Sequence, residues 1–355
     1  MGEDIDKDDY QERFEQAIRQ TAPGTALRRA LDMIIAGHLG ALICIGDSDN
    51  VIAAGDDGFK LDISFTANRL FELSKMDGAI VVDKDVTRIL RANYHLNPDP
   101  SLPTSETGMR HRTAARMSLL TTALVISVSE RRQVVNLYLD GRGYQLRSVQ
   151  ELMGSVNQLL VSMQSTRTQV DRGLLRLTTL ELNNIVTVRD VTDVFYLFEV
   201  LLTEAEEFDR LILQLGSEGK TIKMQRDEFI GDLDAEYTLM IRDYALDSSE
   251  DNAAKIRRKF HDTRNSDMRS AKSVARMLGY ENFGEDTVLT PLGLRTLNNV
   301  SVVRDGVADK IVDEYGSLKG LLDDIEENPE RVGDLGVRNP TILADSLQRM
   351  RSSRA

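Results

Sequence analysis

A run of hydroxyl and cationic side chains at residues 107–113 reads Thr-Gly-Met-Arg-His-Arg-Thr. A Thr-Gly pair that leads into a helix offers free backbone N–H groups at the positive end of the helix dipole. Arg110, His111 and Arg112 add charge-assisted donors, so the segment predicts an anion site. Arg110 and Arg112 would lie on opposite sides of a regular helix, so both can face one ligand only if the segment is partly a loop. The alternative is a solvated, basic helix start.

A second candidate is a carboxylate next to a glycine, Asp77-Gly78-Ala79, just before the apolar run at residues 80–82. The glycine lets other atoms approach the backbone closely at the entrance of a predicted strand. Because hard divalent cations prefer oxygen ligands, Asp77 is a candidate ligand for a cation that accompanies a polyphosphate. Ordinary turn chemistry is the alternative for this tripeptide.

A third candidate is the polar end of another predicted strand, Ser127-Val128-Ser129-Glu130. Its hydroxyls and carboxylate can reach the same pocket, and a merely polar strand end is the alternative. The chain carries neither a Walker-type glycine-lysine loop nor a Rossmann glycine fingerprint to compete for the phosphate role. Cys44 lies in an apolar run and is interpreted as a small buried hydrophobe rather than a nucleophile.

The composition places these candidates in a folded protein of more than one unit. The chain has 355 residues, 41% of them hydrophobic and 28% charged, with only 7 Pro and 24 Gly, which is typical of two or three globular units. The single cysteine excludes an intrachain disulfide and a multi-cysteine metal site, and the four scattered histidines form no zinc-like cluster. No apolar run is long enough to span a membrane, and the acidic start does not resemble a secretory signal. We therefore expect a cytoplasmic protein with no membrane partner.

The net charge of −13 predicts repulsion of nucleic acid unless basic residues are concentrated locally. A role in DNA binding must therefore depend on a local patch of positive charge.

Up to residue 143, helical and extended patterns alternate, which is typical of an α/β fold. Residues 94–107 form a polar loop with three of the seven prolines, and loops of that length are usually functional. The predicted helices cover residues 25–37, 66–75 and 109–120, and the predicted strands cover residues 41–45, 79–82, 89–92, 123–128 and 134–139.

From residue 148 to about residue 280 the pattern becomes long, amphipathic helix, which we interpret as a spacer between the two ends. The last segment, residues 286–355, contains two short helix pairs that turn at residues 300–306 and 332–336. Turns with apolar residues beside glycine are typical of helix-hairpin-helix units, whose backbone amides can hold a phosphate.

Three motifs, Gly40-Ala41-Leu42-Ile43, Asp77-Gly78-Ala79 and Arg110-His111-Arg112, resemble in order and spacing those of the diadenylate cyclase domain. Over nearly its whole length the chain resembles the bacterial DNA integrity scanning family. The resemblance implies an α/β cyclase domain at residues 1–147, with a mixed sheet flanked by helices. It further implies an all-α spine at residues 148–285 and a helix-hairpin-helix domain at residues 286–355.

The activity implied by the resemblance is condensation of two ATP into cyclic di-AMP and two pyrophosphates with Mg²⁺ or Mn²⁺. Family members form homo-octamers through facing cyclase domains, and branched DNA bound by the tail lowers their activity. By motif, Asp77 would ligate the metal and act in catalysis with Arg110, His111 and Arg112. The nucleotide-binding residues expected for this chain are Gly78, Ala79, Leu96, Thr107, Gly108, Met109, Arg110, His111, Arg112, Thr113 and Ser129.

Two departures from the family pattern concern Met109 and the tail. Met109 stands where the family usually has a threonine, which removes one hydroxyl but keeps the backbone amide. The first tail hairpin lacks the usual glycine, proline and basic residue, and Asp334 replaces a glycine in the second. Residues 286–355 hold nine Lys or Arg against twelve Asp or Glu, a net charge of −3. We therefore expect only weak DNA binding, at Arg304, Gly333, Gly336 and Arg338.

The implied product has two-fold symmetry, so the simplest assembly that could make it is an isologous pair of protomers that each hold one ATP. Two alternatives belong to other functional classes. One is a non-catalytic nucleotide-binding scaffold, against which the intact Asp77 argues. The other is a DNA-binding structural protein with a vestigial head, which the acidic tail disfavours.

Overall fold

The computed structural model describes residues 2–231, 233–281, 283–304, 306–325 and 327–352. The chain folds into two compact units. The first unit comprises Met1–Asn157 and Asp209–Lys223, and the second comprises Gln158–Phe208 and Met224–Ala355. The division into three domains at residues 147 and 285 stays a prediction.

The first unit is built around an eight-stranded mixed sheet with the order β2-β5-β4-β1-β6-β7-β8, in which β3 also pairs with β5. The pair of β1 with β4 is parallel, and the other described pairs are antiparallel. The strands are β1 (Ala41–Ile45), β2 (Gly55–Asp56), β3 (Phe59–Ser64), β4 (Ala79–Val82), β5 (Arg88–Leu96), β6 (Leu124–Ser129), β7 (Val134–Leu139) and β8 (Arg142–Gln145).

Helices cover both faces of this sheet. One face packs on α2, whose buried Leu27, Leu31 and Ile34 recur at helical spacing and join Ile43 in one apolar core. The opposite face packs on α5, where burial raises the pKa of the Cys44 thiol to about 12, so the interpretation as an inert buried residue is confirmed. The helices are α1 (Gly2–Thr21), α2 (Ala26–Ala36), α3 (Ser48–Ala53), α4 (Ala67–Leu73) and α5 (Met109–Leu120).

The α/β interpretation is confirmed, with local corrections. The predicted polar loop at residues 94–107 is too long, because β5 continues to Leu96, where Gly55 of β2 pairs with it. Helix α1 is not among the predicted helices, although Phe14, Ala17 and Ile18 pack on the core at helical spacing. Helix α3 and the strands β2, β3 and β8 are also absent from the prediction, because they are short or depend on pairing with partners far along the chain.

The rest of the chain is helical, as predicted. Two long helices, α6 (Val149–Leu182) and α7 (Val188–Leu215), begin this region, followed by a single 3₁₀ turn at Gly216–Gly219. The remaining helices are α8 (Lys220–Ile230), α9 (Leu233–Tyr244), α10 (Glu250–His261), α11 (Asn265–Met268), α12 (Ala271–Met277), α13 (Leu294–Asn298), α14 (Val307–Tyr315), α15 (Leu318–Ile325), α16 (Pro329–Asp334) and α17 (Pro340–Ser352). Across the described ranges, no helix is long and apolar enough to cross a membrane.

Two buried carboxylates tie the tail helices to the rest of the second unit. Asp243 at the end of α9 accepts the backbone N–H groups of Gly293, Leu294 and Arg295, at 2.6 to 3.0 Å, and so caps α13. The guanidinium of Arg295 lies 2.7 Å from the carboxylate of Glu181 on α6, with both side chains buried. Removal of one member of such a pair would leave an uncompensated buried charge, which typically costs about 3–5 kcal/mol.

The expected helix pairs of the tail need one correction. The described first pair ends as predicted with α14, but the second turn is shorter than residues 332–336, because α16 continues to Asp334. Gly333 therefore lies inside a helix. Gly336 follows it at a φ of +106°, a left-handed conformation that favours glycine.

Candidate functional site

One edge of the sheet brings together most of the residues predicted to bind nucleotide. Since β1 and β4 are parallel, Gly40 and Asp77 precede their strands on the same edge. The antiparallel strands β5 and β6 end on that edge with Leu96 and Ser129 respectively. The side chain of Leu96 is half-buried against the core beneath α5.

Gly78 is required by the backbone at this edge. Its φ is +85°, and an added Cβ would lie 2.8 Å from the backbone atoms of Asn93 and Tyr94 on β5. Asp77, the residue before it, is exposed, and its carboxylate makes no hydrogen bond or ion pair with any residue that the structure describes. The glycine thus fixes a close pairing of β4 with β5 while the neighbouring carboxylate stays free to bind a ligand.

The start of α5 carries the features of an anion site. The N-cap is Gly108, with extended backbone and no capping side chain, and no acidic residue lies in the first turn. The amides of Met109, Arg110 and His111 therefore have no intrahelical acceptor. Thr107 is exposed, and the Met109 side chain is 78% exposed, so solvent reaches the start of this helix.

The two arginines of the motif occupy different environments. The half-buried Arg110 directs Nη1 to the carbonyl oxygen of Val128 at 3.4 Å. A Cβ on Gly40 would lie only 1.9 Å from this nitrogen, so glycine makes room for the guanidinium. Arg112 is exposed, and because α5 is regular from Met109 onward, it points away from Arg110. The segment is therefore not the partial loop that would let both arginines face one ligand.

His111 is held by a hydrogen-bond chain that the sequence analysis missed. The Tyr138 hydroxyl lies 3.1 Å from His111 Nδ1 and donates to Glu106 Oε1 at 2.9 Å. Since the hydroxyl proton goes to the carboxylate, Nδ1–H of the imidazole donates to the Tyr138 oxygen, which leaves Nε2 to face a ligand. Burial lowers the pKa of His111, the negative charge of Glu106 opposes that shift, and Arg110 and Arg132 reinforce it.

The hydroxyls at the end of β6 differ in access. Ser127 is fully buried, and its Oγ has no hydrogen-bond partner among the described residues, so the expectation that it opens into the pocket is wrong. Ser129 is half-buried at the edge and accepts the backbone N–H of Arg132 at 3.3 Å. Thr113 is half-buried in the second turn of α5, and Ala79 is buried at the start of β4.

The donor set suits an open metal site. Within the described part of the chain no cluster of three or more His, Cys, Asp or Glu side chains could enclose a metal ion. Asp77 offers one free, exposed carboxylate. Mg²⁺ is commonly held by one or two carboxylates, with substrate phosphates and water completing its shell, so the residues present fit such an ion.

The residues predicted to bind DNA lie in the second unit. Arg304 and Arg338 are exposed, whereas Gly333 is inside α16. The Gly336 amide donates to the carbonyl of Gly333 at 3.0 Å, so it is already engaged. The tail therefore presents fewer free phosphate donors than its sequence indicates.

Comparison with known proteins matches two successive regions of the chain to one family. Residues 28–143 match the family described as DisA bacterial checkpoint controller nucleotide-binding, and residues 146–286 match the DisA bacterial checkpoint controller linker region. The chain is 39% identical over 338 residues to the DNA integrity scanning protein DisA of Symbiobacterium thermophilum, covering 95% of this chain and 96% of that protein. The protein of the same name from Acetivibrio thermocellus is 35% identical, over 98% of this chain and 96% of its own length.

Among solved structures, DacA from Staphylococcus aureus matches with 23% identity and a TM-score of 0.31, covering 38% of this chain and 89% of that one.

Proposed function

The chain belongs to the DisA family of DNA integrity scanning proteins, and from that premise we propose that it is a diadenylate cyclase that converts two ATP into cyclic di-AMP and two pyrophosphates. The observation that carries this proposal is the single sheet edge that Asp77 shares with Leu96 and Ser129, and on which the Arg110 guanidinium rests. We expect the reaction to take place in the cytoplasm, where ATP is available.

The anchored residues at the start of α5 would bind the triphosphate. The uncapped amides and Arg110 neutralise phosphate charge, and the fold holds them in place before the ligand arrives. His111 presents Nε2, which becomes a cationic donor when a phosphate raises the proton affinity of the ring. Arg112, exposed on the other side of α5, is assigned to the triphosphate by motif alone.

Asp77 would hold Mg²⁺ or Mn²⁺, which supplies charge neutralisation at the reacting phosphate when bound. The same carboxylate is placed to accept a hydrogen bond from a ribose 3′-hydroxyl. In each half-reaction the 3′-oxygen bonds to an α-phosphorus, the bond from that phosphorus to pyrophosphate breaks, and one proton is released. Two such steps close the ring.

Because each ATP must supply both a nucleophile and an electrophile, one protomer provides half of a site. We propose that two cyclase units face each other across a two-fold axis, within a larger homo-oligomer such as an octamer. Specific activity should then fall when the protein is diluted below the dissociation constant of the assembly. Sedimentation and product formation measured on the same dilution series test this, and full activity in a monomeric species would contradict it.

The relatives' name, DNA integrity scanning protein, supports a second part of the proposal, that DNA structure regulates the cyclase. The acidic charge of residues 286–355 and the engaged Gly336 amide predict that the tail contributes little affinity of its own.

Turnover separates this proposal from a non-catalytic nucleotide-binding scaffold. The purified protein is incubated with ATP and Mn²⁺, and pyrophosphate and nucleotide products are quantified by phosphate assay and mass spectrometry. The proposal predicts two pyrophosphates for each cyclic di-AMP. A protein that binds ATP in calorimetry, yet releases no pyrophosphate, would be a scaffold.

A further inference from the structure

One segment of the helical region carries a local excess of basic charge in this acidic chain. Residues 255–276 contain eight Lys or Arg and two acids, Asp262 and Asp267, a local net charge of +6 in a chain of net charge −13. This segment spans most of α10, together with α11 and the greater part of α12. No motif of the proposed nucleotide site lies in it.

Three cations of α10 lie together on its outer face. Lys255, Arg258 and Lys259 fall within about 100° of one another around the helix axis. The buried side chains of the same helix occupy the opposite face, so these cations point to solvent. The buried set is Ala253, Ile256 and Phe260.

The cations of α12 also lie on the exposed face of their helix. Lys272 and Arg276 are four residues apart and exposed, while the opposite face of α12 is buried. Thr263 Oγ1, after α10, lies 3.5 Å from the sulfur of Met277, which ends α12, so the two helices meet at these ends. The exposed faces of these two neighbouring helices therefore both carry positive charge.

Most of these side chains are not neutralised by the protein. Lys255, Arg258, Lys259, Lys272 and Arg276 are exposed and make no side-chain hydrogen bond or ion pair within the described ranges. Two other arginines of residues 255–276 have partners, since Arg257 pairs with Asp234 and Arg269 contacts the ring and hydroxyl of Tyr196.

We propose that the outer faces of α10 and α12, with their exposed cations, form a binding surface for the phosphate backbone of duplex DNA. Charge complementarity identifies the occupant, because exposed cations on two neighbouring helices match a polyanion. Each neutralised phosphate releases counterions and so favours binding. Flexible, exposed lysines and arginines contact phosphates without reading bases, so the surface is predicted to be indifferent to sequence.

This inference goes beyond the proposed function, which names no surface that binds DNA tightly, and it does not depend on the cyclase reaction. The tail has a net charge of −3. Among its described cations, Arg331 pairs with Glu314, Arg295 is buried beside Glu181, and Arg349 and Arg351 have hydrogen-bond partners. The α10–α12 surface has the opposite sign and a higher density of free cations. It is therefore the stronger candidate for non-specific DNA affinity.

The test compares two quadruple variants of the full chain that each remove four exposed cations. The surface variant carries Arg258→Gln, Lys259→Gln, Lys272→Gln and Arg276→Gln. The matched tail variant carries Arg304→Gln, Lys310→Gln, Lys319→Gln and Arg338→Gln. Affinity for a mixed-sequence duplex is measured by fluorescence anisotropy at several salt concentrations, without ATP, and thermal melting checks that both variants fold.

The proposal predicts that the surface variant loses about tenfold or more in affinity and that its salt slope falls by roughly three to four units. The tail variant should change the affinity less than threefold. The reverse pattern, with the loss in the tail variant alone, would overturn the proposal while leaving DNA binding itself intact.

Two further results would also overturn it. The first is that the surface variant and the wild type bind DNA with equal affinity. The second is that the surface binds phosphatidylglycerol vesicles but not DNA, because a membrane would then be the polyanion. A failed cyclase assay would leave this comparison untouched, since no turnover is measured.

Discussion

Two cation-rich regions of this molecule differ in how the fold holds their charges. At the start of α5, Arg110 rests on Gly40 and the Val128 carbonyl, and His111 is fixed by a chain through Tyr138 to a carboxylate. On the α10–α12 surface five cations are exposed and make no side-chain hydrogen bond or ion pair with any described residue. The first arrangement is preorganised for one small phosphate ligand. The second suits a long polyanion that needs charge but not a fixed geometry.

The largest effect is expected from a variant that removes the proposed metal ligand of the nucleotide site. Asp77→Asn keeps the size of the side chain but removes the anionic oxygen that a hard cation prefers, so turnover should fall by more than about a hundredfold. The matched control is Asp85→Asn, an exposed aspartate beyond the other end of β4. Product formation is followed by mass spectrometry, and wild-type turnover in the Asp77 variant would remove this residue from the site.

The next effect tests whether Arg110 must be anchored. Each charge-assisted contact contributes about 1.5–3 kcal/mol, so Arg110→Ala should weaken apparent ATP affinity by roughly 10- to 150-fold. Gly40→Ala should produce part of this loss, because its Cβ would displace the guanidinium without a backbone clash. Gly154→Ala, where nothing lies within 4 Å of the added Cβ, is the control.

The double variant makes that test sharper. If Gly40 acts only through the guanidinium, Gly40→Ala should have no further effect on ATP affinity in the Arg110→Ala background. Additive losses would mean that the two residues act independently.

A smaller effect concerns the protonation of His111. Burial lowers its pKa, so the ring is mostly neutral at pH 7, and apparent ATP affinity should rise as the pH falls and the cation forms. Glu106→Gln removes the charge that opposes this shift, so the rise should begin at a lower pH. Arg110, Arg132 and Tyr138, the other groups that face the ring, are unchanged in this variant.

Apparent affinity for ATP is measured from pH 5 to pH 8 in both proteins, with His111→Gln as the control that should lose the pH response. Identical profiles for the wild type and Glu106→Gln would exclude the hydrogen-bond chain as a device that sets the charge of His111.

The smallest expected effect is a difference between the two regions in how strongly ligand binding depends on salt. Raising the salt concentration within the physiological range should change the KM for ATP only a few-fold, because partly buried charges are screened weakly. DNA affinity at the exposed cations should fall steeply over the same range. Parallel titrations of KM and of duplex binding check this, and equal slopes would contradict the distinction between anchored and free cations.

The sequence predicted the parts of this structure that depend on local pattern. Helix α5 begins and ends where its composition indicated, at Met109 and Leu120, and Asp77-Gly78 stands before a buried strand as expected. Glycine conformation, apolar periodicity and helix starts are all local properties. The α/β head and the helical region that follows were therefore predictable.

The contacts that the sequence did not reveal join residues far apart in the chain. Tyr138 meets Glu106 across 32 positions, and Gly40 meets Arg110 across the sheet. Both contacts depend on how α5 and the loop before it pack on the sheet, and no local pattern marks them. The charge of residues 255–276 is visible in the sequence, but only the buried faces of α10 and α12 show which of its cations lie on the exposed face of each helix.

The most direct test of the central claim follows the fate of two ATP molecules in one reaction. The wild-type protein receives an equal mixture of ordinary ATP and ATP labelled with heavy nitrogen in the adenine, together with Mn²⁺. The account predicts cyclic di-AMP in light, mixed and heavy forms, with the mixed form about twice as abundant as either of the others, because two bound nucleotides must join. Recovery of unchanged ATP, or of labelled mononucleotides alone, would contradict it.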